Sequence, residues 1–202
     1  MKRQFRALAD FWRGQLGHFV AITAIAFLAI TVLSYVAGRL MPELCTSVVH
    51  YFMEMITSGG VIDETGSISV VGLFLNNLRA TLLTMLYGLI PFLYLPALSL
   101  GVNAILMGVM GAYYTNNGIS LLLYLAGILP HGIFEIPALL LGMAGGLCLC
   151  SNINTYIRKN EKGVMKPLFL NLLRLSCLLL PLLAVAAVLE AYVTPLVMSL
   201  FL

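Results

Sequence analysis

His131 and Glu135, four residues apart in an apolar stretch, are the pair in this sequence best suited to do chemistry. On a regular helix that spacing puts both side chains on one face. There an imidazole and a carboxylate can pass a proton or hold a ligand together. Three more ionisable residues lie in apolar surroundings: Arg79, Arg174 and Glu190. Asn76 precedes Arg79 by three residues and shares its helical face. Ionisable groups at membrane depth are costly and are kept for a reason. The candidate site is therefore the polar cluster Asn76, Arg79, His131, Glu135 and Glu190.

Two readings of the cluster stand side by side. In one it is a working site. In the other it is a network of ion pairs and hydrogen bonds that fixes helix packing, with the two arginines pairing the two glutamates. Arg174 sits near the end of its span, where a long basic side chain can snorkel. His131, Glu135 and Glu190 are three potential metal ligands, the number catalytic zinc needs. The H-E-x-x-H motif is absent, however, and H-x-x-x-E alone is common by chance. No metal or cofactor is expected on that ground, and no catalytic residue is assigned. G-x-S-x-G and the P-loop are also absent, so neither an elbow hydrolase nor a built-in ATPase is supported. The cysteines are Cys45, Cys148, Cys150 and Cys177. They form no C-x-x-C, and three lie in apolar segments, which predicts neither disulfides nor a metal cluster.

The elements that must position these groups follow from composition. Of 202 residues, 61% are hydrophobic and 9% charged, where soluble domains carry about 25% charged residues. Lipid must cover the excess apolar surface, so the bilayer is the first partner. The net charge of +3 resides mostly in two short basic clusters, which read as topology signals and not as a nucleic-acid footprint.

The fold class expected is all-α: a polytopic membrane bundle of about five transmembrane helices, one of them broken, with interfacial helices. Residues 1–18 are read as a cytoplasmic interfacial helix and 19–202 as a single membrane bundle domain. Phe5, Leu8, Trp12 and Leu16 recur along one helical face, with Lys2, Arg3, Arg6 and Arg13 around them. The spans expected are 19–38, 68–90, 97–114, 119–150 and 168–194. Residues 39–67 are the longest polar stretch, carrying Arg39, Glu43, Glu54, Asp63 and Glu64. They predict a second surface helix followed by a turn at Gly59 and Gly60. Pro91 and Pro96 bracket a short turn, and residues from Tyr113 to Gly118 an interfacial loop. As one straight helix, 119–150 would run roughly 48 Å, longer than the hydrocarbon core. Pro130, Gly132 and Pro137 inside it predict a break.

Both basic clusters, at the N-terminus and over residues 151–167, are expected to face the cytoplasm. Four crossings then separate them, with 39–67 and the C-terminus outside and Glu135 and Glu190 in the outer half. Ala104, Gly108 and Ala112, and likewise Ala138, Gly142 and Gly146, repeat at four-residue spacing. Such stripes let helices approach closely, within the bundle or across a homo-oligomer face.

Three stretches resemble the stage II sporulation protein M family. They are Leu129 to Gly142 (LPHGIFEIPALLLG), Phe74 to Ala80 (FLNNLRA) and Leu189 to Pro195 (LEAYVTP). They coincide with the intramembrane polar groups. The resemblance implies a multi-helix membrane scaffold that anchors cell-envelope proteins, including peptidoglycan hydrolases. The alternative that the residues leave open is a permease-like subunit working with a separate ATPase or an ion gradient.

Overall fold

The computed structural model describes residues 2–58, 69–159, 163 and 165–201. The expected turn at Gly59 and Gly60, the acidic pair Asp63 and Glu64, and Lys162 lie outside the described residues. The described chain is all helical. It comprises α1 (Lys2–Phe11), α2 (Gly17–Leu40), α3 (Pro42–Ser58), α4 (Val70–Leu86), α5 (Leu95–Asn116), α6 (Leu121–Lys159), α7 (Met165–Val188) and α8 (Thr194–Ser199). Single π-helical turns, Trp12–Leu16 and Leu189–Val193, join α1 to α2 and α7 to α8, and a 3-10 turn, Tyr87–Leu89, ends α4. Five of the resulting helices are long and apolar enough to cross a bilayer.

The boundary expected at residue 18 falls inside a continuous helix. The Gly17 N–H donates to the Trp12 carbonyl, five residues back, so the backbone passes into the first span without a loop. The wider turn shifts the phase of the apolar face. Phe11 and Leu16 are buried together, whereas Trp12 is 46% exposed. Phe11 and Leu16 pack with Leu168, Leu172 and Leu175 of α7, and Leu8 lies against the same cluster.

The break expected at Pro130–Gly132 does not occur. α6 runs unbroken for 39 residues with Pro130 and Pro137 inside it, roughly 58 Å of helix. Each proline removes one backbone hydrogen bond. A full break would strand several more polar groups where no water can reach them, so continuity is the lower-energy course in lipid. The length is accommodated because α6 continues as a polar helix past Cys150, beyond the end of the expected span.

Small residues set the helix spacing, and they do so within this bundle. Gly108 of α5 lies against Thr31 and Ser34 of α2, and Gly38 lies against Ala112. On α6, a Cβ at Gly142 would meet the Thr81 side chain at 2.5 Å, and one at Gly146 would meet the Thr84 carbonyl at 2.7 Å. Ala104, Ala112 and Ala138 are fully buried. Between α4 and α5 the chain turns through Phe92 and Tyr94, both at positive φ. Asn154 holds this turn by accepting from the Phe92 N–H at 2.9 Å.

The two basic clusters lie at the same end of the bundle. The Asn152 amide donates to Gln15 Oε1 at 3.3 Å, and Asp10, Gly14 and Gln15 share a groove with Lys166 and Pro167. α3 is at the opposite end, where Arg39 donates to Asn116 Oδ1 at 2.7 Å and Cys45 packs with Val109 and Ala112.

Candidate intramembrane polar site

α6 carries His131 and Glu135 one turn apart, between its two prolines. His131 Nε2 and Glu135 Oε2 are 3.9 Å apart, and their side chains are 15% and 19% exposed. At that separation the two groups are close but too far apart for a hydrogen bond. The other ring nitrogen, Nδ1, lies 3.1 Å from Thr194 Oγ1, and Thr194 is buried. The imidazole is thus oriented from the last span.

Glu190 also comes from the last span, on its π turn. The Thr194 N–H donates to the Leu189 carbonyl, five residues back, which closes that turn. A π turn inserts a residue into the helical repeat and turns side chains through an angle an α-helix cannot give. One ligand atom each from His131, Glu135 and Glu190 lies within 4.8 Å of the others. α8 keeps this arrangement close to α6 at Gly127, where a Cβ would meet Met198 Sδ at 3.2 Å.

A cavity of about 190 Å3 opens beside the pair, lined among others by Phe27, Asn103, Tyr124, His131 and Glu135. The Tyr124 hydroxyl donates to the Met107 carbonyl at 2.6 Å. The Asn103 amide donates to the Ser99 carbonyl at 2.9 Å, and Ser99 meets the Thr84 hydroxyl at 2.8 Å. The walls are apolar with a few fixed polar groups.

Of the five residues in the sequence-derived cluster, the structure brings three together. Asn76 and Arg79 are exposed on α4, on the side away from its buried Thr81 and Met85. They face out of the bundle because the α4 face that packs on α6 passes through Thr81, two residues off the Arg79 direction. The expected arginine–glutamate pairing does not form among the described residues. Arg174 instead donates to Gln4 Oε1 and, at 2.6 Å, to Asn171 Oδ1. Thr194, Asn103 and Tyr124 are the residues that sequence reasoning missed. Thr194 stands in the LEAYVTP stretch, and Asn103 is a lone amide in an apolar span. Both signals were visible as polar residues in hydrophobic surroundings.

Chemically, two carboxylates this close in a low-dielectric setting call for a positive partner. The imidazole supplies one when protonated. A divalent cation bound by all three residues is another.

These features define a class: a multi-pass helical membrane protein with a carboxylate–imidazole cluster between α6 and the last span. The family is identified by comparison. The family model described as stage II sporulation protein M matches residues 18–195. The chain belongs to that family. An uncharacterised protein of Methanocaldococcus jannaschii is 35% identical over 121 residues, covering 59% of this chain and 67% of that one. No solved structure matches the chain.

Proposed function

We propose that this chain is a membrane scaffold that recruits or anchors cell-envelope proteins, peptidoglycan-remodelling hydrolases among them, through α3. The observation that carries the reading is the mounting of α3. Its inner face is fixed by Cys45 and Val49, buried against Val109 and Ala112 of α5. Its outer face presents Leu44, Ser47 and Tyr51, with Leu44 55% and Tyr51 64% exposed. A helix seated on the bundle by one face, with Leu44 and Tyr51 exposed among polar residues on the other, is suited to receive a partner. The shared end of the basic clusters supports a cytoplasmic N-terminus, with α3 and the C-terminus outside. In that orientation α1 rests at the inner surface and the polar cluster serves packing in the outer half. A photo-crosslinker at Tyr51 in native membranes tests this. Capture of an envelope protein, lost on Leu44→Ser, is the expected result, and capture of lipid alone would contradict it.

A specific observation favours a second reading, a permease-like subunit: the cavity beside His131 and Glu135 lies within the spans. Under that reading Glu135→Gln inserts and folds normally yet loses function.

A further inference from the structure

We propose that His131, Glu135 and Glu190 together bind a single first-row divalent cation of the zinc class, which ties the last span to α6.

Geometry is the first support. One donor atom from each residue lies within 4.8 Å of the other two. Zinc takes nitrogen and oxygen ligands at about 2.0–2.2 Å, so donors on one ion stand about 3–4 Å apart. His131 Nε2 and Glu135 Oε2, at 3.9 Å, already stand at such a separation, with no hydrogen bond between them. The widest pair needs to close by no more than about 1–2 Å.

The orientation of the imidazole is the second. Metal-bound histidines use the other ring nitrogen to bind a neighbouring polar group, which fixes the ring and the tautomer. Here Nδ1 is held by the buried Thr194 hydroxyl at 3.1 Å, and Nε2 faces the carboxylate. Glu190 lies within one π turn and Thr194 caps it, a distortion that recurs at functional sites.

Charge balance is the third. Two carboxylates with a doubly charged cation make a neutral unit, the state a low-dielectric interior tolerates. Arg79 is exposed on α4 and Arg174 is bonded to Gln4 and Asn171, so neither arginine supplies that charge. One imidazole with two carboxylates suits a first-row transition cation more than magnesium or calcium, which favour all-oxygen sites. The adjoining cavity of about 190 Å3 has room for a water molecule to complete the coordination.

The test uses the full chain purified in detergent, stripped with a chelator and titrated with zinc chloride alone. Bound metal is counted after size exclusion, and thermal unfolding is followed in parallel. About one equivalent of zinc should bind, and the unfolding midpoint should rise with zinc concentration. Glu190→Gln should weaken binding at least ~10-fold. Thr194→Val, nearly isosteric and not a ligand, should weaken it ~10- to 100-fold through loss of the imidazole's orientation. Magnesium chloride should neither bind comparably nor shift the midpoint. Wild-type protein that stays folded after stripping and takes up no zinc would overturn the proposal. So would a folded Glu190→Gln or Thr194→Val variant that binds zinc as tightly as wild type.

Discussion

The Thr194 hydroxyl, on the first turn of α8, lies 3.1 Å from His131 Nδ1 on α6, so one hydrogen bond couples the end of the last span to the long central helix. Thr194 is buried, and a buried polar group that loses its partner costs about 1–3 kcal/mol. Thr194→Val leaves the imidazole nitrogen unpaired. It should lower the detergent-solubilised unfolding free energy by about 1–3 kcal/mol without changing helical content. Unchanged stability would mean the contact is incidental.

At the helix crossings, Gly146→Ala should destabilise the bundle. The new Cβ would meet the Thr84 carbonyl at 2.7 Å and Pro96 Cγ at 2.8 Å. The carbonyl belongs to backbone, which yields poorly, and overpacking of this kind costs about 1–3 kcal/mol. Gly101→Ala is the control, since nothing lies within 4 Å of a Cβ there. Thermal unfolding of the two variants should separate them clearly.

Arg79→Leu should change stability by no more than about 0.5 kcal/mol. Its side chain is exposed and bonds to neither glutamate among the described residues. A large loss of stability on this substitution would restore Arg79 to the polar cluster that the sequence suggested.

Much of the architecture was legible in the residues, and the failures have physical causes. The five spans, the helix after the first of them and the turn between Pro91 and Pro96 followed from apolar run length, helical spacing and proline placement. The stripe of Ala138, Gly142 and Gly146 likewise pointed to close helix contacts, which Thr81 and Thr84 now supply. The π turns were not readable, because they add a residue without any breaker in the sequence. One of them moved Phe11 into the core in place of Trp12. Pro130 misled for a related reason: proline forbids one hydrogen bond, and lipid penalises the break more than the helix suffers from its loss. In the site, depth in the membrane grouped five polar residues, but only the helical phase of α4, set by its packing on α6, decides that Asn76 and Arg79 face outward.

Asn154→Ala should loosen the turn between α4 and α5. The Asn154 carbonyl oxygen accepts from the Phe92 N–H at 2.9 Å, and Phe92 and Tyr94 are held at φ of 65° and 46°. Non-glycine residues in that region carry about 1–3 kcal/mol of strain each. Loss of this restraint should increase amide hydrogen exchange over residues 90–94 while the spans stay protected.

Burial of Cys45 on α3 pushes its thiol above the ordinary value of 9.0. The thiol donates to the Val109 carbonyl at 3.4 Å. Because the folded state holds the proton more tightly, this stabilisation is fully present below about pH 9. It is lost as pH rises through the higher folded value. Alkylation of Cys45 should therefore be much slower in the folded protein than in denatured protein at each pH between about 7 and 9. A folded-state rate equal to that of denatured protein across that range would contradict the seating of α3 on α5.

The scaffold account places recruitment on α3 and packing in the polar cluster. Complementation of a deletion strain, scored beside the amount of folded protein in the membrane, tests that division most directly. The account predicts that Leu44→Ser with Tyr51→Ser accumulates at wild-type level and fails to complement, while Glu135→Gln loses complementation only in proportion to folded protein lost. A Glu135→Gln variant that accumulates fully and still fails, alongside an α3 variant that complements, would contradict it.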